Sequence, residues 1–233
     1  MRNLIKAGLV ALVLCLAAPV AAGPFEDGAD AAKRGDYATS LQLWQPLANQ
    51  GDPRAQQSLG NMYANGQGVP RDDAEAVKWF RRAADQGDPY AQFNLGNMYA
   101  EARGVPQDDA EAVKWFRKAA DQGDPSAQYN LGVTYQQGQA VPQDYAEARK
   151  WYRKAADQGH ASAQTNLGYM YAEGQGVPQD YVSAHMWFNL SAAQDNQVAV
   201  KNRDSIARRM TPVQIAEAER LAREWKPTAQ PPR

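Results

Sequence analysis

The chain has 233 residues, with 25 Lys+Arg against 26 Asp+Glu, and this formal net charge of −1 argues against a dedicated nucleic-acid binder. A hydrophobic fraction of 44% excludes wholesale disorder. Two His and one Cys exclude an intramolecular disulfide and leave little for a His- or Cys-rich metal site.

In chain order, residues 1–22 read as an export signal. Arg2 and Lys6 make a positive start, Ala7 to Ala18 form an apolar run interrupted only by Gly8, and Val20-Ala21-Ala22 precedes Gly23 as a small-residue cleavage site. Pro19 and Gly23 end the run short of the ~20 apolar residues that a membrane span needs. Cys15 lies inside the run after the bulky Leu14, which argues against a lipid-attachment site. Cleavage after Ala22 leaves 211 residues with no cysteine and a charge of −3. The expected location is the periplasm or cell envelope, with secretion or anchoring by an uncleaved signal as the alternatives.

From residue 52 the chain repeats every 36 residues. Units 52–87 and 88–123 are identical at 28 of 36 positions, and 124–159 and 160–195 follow in register. Trp79, Trp115, Trp151 and Trp187 mark the period, as do Tyr63, Tyr99, Tyr135 and Tyr171. Residues 23–51 form a partial leading unit in which Leu43 takes the Trp position. Each unit predicts two antiparallel helices. Gly87-Asp88-Pro89 ends one helix, caps the next and opens its first turn. Helix A follows with Ala55, Leu59, Met62 and Tyr63 on one face, and Gly66 to Pro70 stops it. Helix B starts at Asp72-Asp73 and turns Ala76, Trp79, Phe80, Ala83 and Ala84 inward; Gly60 and its copies let it approach helix A closely. Residues 196–226 predict C-terminal capping helices, with Thr211-Pro212-Val213-Gln214 as a capping box. Residues 227–233 are expected to be a disordered tail.

The pattern Ala-x-x-x-Leu-Gly-x-x-Tyr, then Gly-x-Gly-Val-Pro, then Ala-x-x-Trp-Phe/Tyr-x-x-Ala-Ala-x-x-Gly resembles the Sel1-like repeat (SLR), a relative of the tetratricopeptide repeat. The resemblance implies an all-α, right-handed α-solenoid of antiparallel helix pairs with a C-terminal helical cap. It also implies a non-catalytic scaffold of the exported bacterial type, such as an envelope adaptor or signalling regulator, with a protein or peptide as partner. The alternative is a cell-wall or β-lactam hydrolase, an activity credited to cysteine-rich SLR proteins. The paired cysteines of those proteins are missing from residues 23–233.

Few residues invite chemistry. HExxH, paired-Cys, P-loop and GxSxG patterns are absent, and no cofactor or metal is expected. His160 takes the place of a capping Asp, and His185 precedes Trp187 by two residues. Acids recur at every helix B start, and Arg81, Arg82, Arg117, Lys118, Arg153 and Lys154 recur towards its end, which suits the helix dipole. The informative positions are those where the repeats disagree. Arg54, Gln57 and Asn61 become Tyr90, Phe93 and Asn97, then Ser126, Tyr129 and Val133, then Ser162, Thr165 and Tyr169. Their i, i+3, i+7 spacing makes a stripe beside the core face of helix A. By the resemblance, this stripe lines the concave groove. Tyr90, Phe93, Tyr129 and Tyr169 are then its aromatic anchors, with Arg54, Gln57, Asn61 and Asn97 as polar contacts. The alternative is that these aromatics only fill the packing between repeats.

Overall fold

A computed structural model describes residues 23–228; the expected export signal and residues 229–233 lie outside the described residues. Twelve helices and no strand occur among them. Five antiparallel pairs stack in order: α1 (Pro24–Lys33) with α2 (Tyr37–Asn49), α3 (Pro53–Asn65) with α4 (Asp73–Asp85), α5 (Pro89–Ala100) with α6 (Asp109–Asp121), α7 (Pro125–Gln137) with α8 (Tyr145–Asp157), and α9 (Ala161–Glu173) with α10 (Tyr181–Ala192). Then come α11 (Gln197–Ala207) and α12 (Pro212–Glu224).

Capping sets the helix starts. Asp52, Asp88 and Asp124 accept backbone N–H bonds at the A helices, each followed by Pro. Asp72, Asp108, Asp144 and Asp180 do the same at the B helices. At α9 the cap is His160, whose Nδ1 accepts from the N–H of Ala163 at 3.2 Å. The loops between paired helices need left-handed backbone, which Gly66, Gly138 and Gly174 supply, but Ala102 and Ala140 also sit at φ 55°. A side chain there costs roughly 1 kcal/mol.

Each pair closes on a glycine. A Cβ built on Gly60, Gly96 or Gly168 would lie 2.5–2.7 Å from a ring carbon of Phe80, Phe116 or Phe188 respectively, and Tyr152 covers Gly132 in the same way. Trp44 covers Gly28 likewise. The leading unit is thus a complete helix pair whose loop is four residues shorter than the others, since Gly28 precedes Gly60 by 32 residues while Trp44 keeps the 36-residue step to Phe80. That deletion takes α1 out of register and hides it from the repeat pattern.

Successive pairs are joined by tryptophan and by a buried glutamine. Trp115 packs against Ala84, Ala91 and Leu95 of the neighbouring helices, and Trp151 and Trp187 repeat the arrangement. Beside them, Gln92 donates through Nε2 to the carbonyl of Ala84 at 3.2 Å and accepts through Oε1 from Gln122 at 2.8 Å. One amide therefore satisfies a free carbonyl at the end of α4 and ties α4, α5 and the end of α6 together. Gln56, Gln128 and Gln164 make the same bridges.

The stack ends differently on its last unit. Positions held by Lys78 and Arg82 on α4, and by Lys in α6 and α8, are Met186 and Leu190 on α10. Helix α12 docks on α10 there, with Trp225 edge-on to Trp187 at 6.4 Å between centroids. Beyond it the N–H of Thr228 donates to the carbonyl of Asp157 at 2.8 Å, so the tail expected to be disordered from residue 227 is held on α8 as far as Thr228.

Three outcomes follow for stability. Gly96→Ala gains helix propensity yet should lower the urea stability by about 1–3 kcal/mol, because its methyl group meets Phe116. Ala140→Gly should raise it by about 1 kcal/mol by relieving the left-handed alanine. His160 must be neutral at Nδ1 to cap α9, and burial holds its pKa below the ordinary 6.5. The unfolded chain therefore takes up the proton first, and the contribution present above pH 6.5 declines as pH falls towards the folded-state value. His185, also depressed by burial, acts in the same direction. Melting from about pH 7.5 to about pH 5.5 should show a smaller loss in His160→Asp, which restores the cap of the other units, than in the parent. Equal slopes would remove His160 from the account.

The candidate interaction face

The A helices place the variable stripe along one side of the stack, and the structure splits its positions into two kinds. Tyr90 is 44% exposed and Tyr169 38%. The middle position turns towards helix B of the same unit. Phe93 lies against Phe116 at 5.9 Å, and Tyr129 lies between Tyr152 at 5.9 Å and the stacked ring of His160 at 4.9 Å. Their counterpart Thr165 is buried, with Oγ1 2.8 Å from Ser191 Oγ. Phe93 and Tyr129 thus combine half-burial in the seam with a partly open edge, whereas Tyr169 touches Phe188 only edge-on at 5.4 Å. Gln57 is half-buried at the same position of the first full unit.

The polar members have partners of their own. Arg54 is turned to the first pair: its guanidinium lies 4.2 Å over the Phe25 ring and 3.1 Å from Glu26. Asn61 Oδ1 accepts from Asn94 Nδ2 at 3.2 Å, and Asn97 Oδ1 accepts from Asn130 Nδ2 at the same distance. These pairs bridge neighbouring A helices. Asn94 and Asn130 were not among the residues expected from the sequence, although Asn recurs every 36 residues at 94, 130, 166 and 202 and the period alone marks them. The ladder does not continue at α9, where Val133 and Tyr169 replace the accepting Asn and the buried Nδ2 of Asn202 has no partner among the described residues.

Charge separates the two sides of the molecule. From α5 to α9 the stripe and the adjoining Asn column carry no charged side chain. The B helices carry repeated ion pairs instead: Glu75–Lys78 at 2.8 Å, Glu111–Lys114 at 2.9 Å and Glu147–Lys150 at 3.1 Å. Arg82, Lys118 and Lys154 lie 4.5, 3.9 and 4.1 Å from the rings of Trp79, Trp115 and Trp151. The periodic charges thus serve each helix and cover its tryptophan. At the seam, burial raises the Tyr152 hydroxyl above its ordinary range, and it donates to Gln136 Oε1 at 2.6 Å. His160 is committed to its cap and His185 is buried on α10. No group of three His, Cys, Asp or Glu that could hold a metal occurs among the described residues, and no helix there is long and apolar enough to cross a membrane.

The comparisons agree with this architecture. The Sel1 repeat family model matches residues 23–52, 53–88, 89–124, 125–160 and 161–196, so the short-looped leading pair counts as a unit. A protective antigen of uropathogenic Escherichia coli with an SLR fold is 36% identical, with a TM-score of 0.76 over 86% of this chain and 45% of its own. The present chain therefore spans less than half the length of that structure. A Sel1 repeat protein from Oxalobacter formigenes is 29% identical, with a TM-score of 0.76 over 87% of this chain and 83% of its own. An immunity protein of Pseudomonas aeruginosa shares the fold at 20% identity, with a TM-score of 0.53 over 89% of this chain and 81% of its own. Among curated proteins none matches. Five matched repeats and an all-helical stack of five pairs make this chain a member of the Sel1 repeat family.

Proposed function

We propose that the protein is a non-catalytic scaffold of the cell envelope that holds a segment of a partner protein along its A-helix face. It would act there as an adaptor or as a regulator of a signalling partner. The observation that carries the reading is the pair of exposed tyrosines, Tyr90 and Tyr169, on a stripe that carries no charged side chain from α5 to α9. Large aromatics in an uncharged setting supply most of the energy in many interfaces. The ends of the stack are more charged: the exposed residues of α1 include Glu26, Asp27, Asp30 and Lys33, and the exposed Val198 of α11 stands among Gln197, Lys201, Asp204 and Ser205. The export reading of residues 1–22 supplies the location.

Tyr90→Arg with Tyr169→Arg should leave the melting temperature nearly unchanged, because exposed substitutions cost within about 0.5 kcal/mol. The same protein should lose its partner in affinity capture from an envelope fraction, with binding weakened by at least about tenfold. A partner kept equally by parent and variant would move the interaction off this face. Fractionation of the producing cell, with the mature N-terminus read at Gly23, tests the location separately.

A further inference from the structure

The two asparagine pairs narrow the chemistry of the occupant. In each pair one amide N–H meets one amide oxygen, Asn94 to Asn61 and Asn130 to Asn97. What remains on each pair is the second amide group, with a donor on one Asn and an acceptor on the other, neither of them engaged elsewhere among the described residues. Exchanging the oxygen and nitrogen of both amides leaves the same remainder. A peptide backbone offers its complement, one N–H and one C=O per residue.

Spacing then selects the conformation. The pairs are one structural repeat apart, because each residue of the second is 36 beyond its counterpart in the first. Asn side chains that meet at 3.2 Å hold neighbouring A helices about 8–10 Å apart, and an extended chain advances about 3.1–3.4 Å per residue, so the two pairs meet residues about three apart. A β-strand has a period of two and turns residues three apart to opposite sides. A polyproline II helix has three residues per turn and presents them on the same side, with its backbone groups unpaired. Tyr90 stands one helical turn before Asn94 on α5, the helix shared by both pairs, and places an exposed ring beside them. Aromatic rings are the usual platform for proline.

We propose that the face from α3 to α7 binds a proline-rich segment in the polyproline II conformation. Asn61 with Asn94, and Asn97 with Asn130, hold two backbone units three residues apart, and the intervening prolines rest on Tyr90. The proposal rests on the reading of this face as the partner site and adds the class of segment it takes.

The test uses the full chain and a fluorescent acetylated peptide of four Ala-Pro-Pro repeats, with the dissociation constant read by polarisation. Three comparison peptides are N-methylated at every alanine, all-proline, or alternating Thr-Val. The Ala-Pro-Pro peptide should bind at least tenfold more tightly than each of them, and Asn61→Ala with Asn97→Ala should remove that advantage. N-methylation alters the peptide alone, so this arm stands even if the double variant unfolds. Equal binding of the N-methylated peptide, or no binding of the Ala-Pro-Pro peptide, overturns the proposal. If capture of the envelope partner still depends on Tyr90 and Tyr169 in that case, the partner face survives without the polyproline class. If it does not, both fall.

Discussion

The ring that each B helix lays on the backbone of its A helix, at Gly60, Gly96, Gly132 and Gly168, brings the two helices closer than any residue with a Cβ allows. That close approach places Ala, Leu and Met of one helix against Ala, Trp and the ring residue of the other, and the resulting pair is apolar on both of its broad sides. A single pair cannot bury both. Stacking is therefore obligatory, and the number of pairs is limited only by what closes the ends.

The joints between pairs combine apolar and polar terms. Tryptophan supplies the area, and the buried glutamine converts a free helix-end carbonyl into a bond that spans three helices. A buried amide with one partner missing costs more than it contributes, so the bridge stabilises because both the N–H and the C=O of Gln56, Gln92, Gln128 and Gln164 are engaged. The neighbouring indole N–H groups of Trp79, Trp115 and Trp151 are buried without a partner among the described residues.

The same repetition explains why the B helices carry recurring charge while the stripe from α5 to α9 carries none. Glu and Lys three residues apart recur on the B helices and stabilise each helix, while Arg82, Lys118 and Lys154 lie over its tryptophan. The last unit exchanges that pattern for Met186 and Leu190, and α12 covers them. On the A side, neighbouring helices approach each other side by side, and asparagine pairs serve where ion pairs would require two charges to be partly desolvated. Variation between units is tolerated there because an exposed ring at Tyr90 or a serine at Ser126 leaves the joints untouched.

The period, the helix pair, the caps and the Gly-to-ring approach were all legible in the chain, because each depends on contacts within about 36 residues and recurs in registered copies. The stripe was legible as a set of positions but not as a surface. Whether Phe93 turns inward to Phe116 while Tyr90 stays exposed depends on where the paired helix lies. The first pair reads in the sequence as only a partial unit because its shortened loop breaks the register, and the contact of Trp44 with Gly28 restores it. By itself the sequence determined a stack of helical pairs without an evident reactive centre, since local spacing and composition suffice for that. The tertiary structure decided which asparagines meet across neighbouring units, which tyrosines remain open and how far the tail is held. Those depend on distances between residues about 30 or more positions apart, which no local pattern contains.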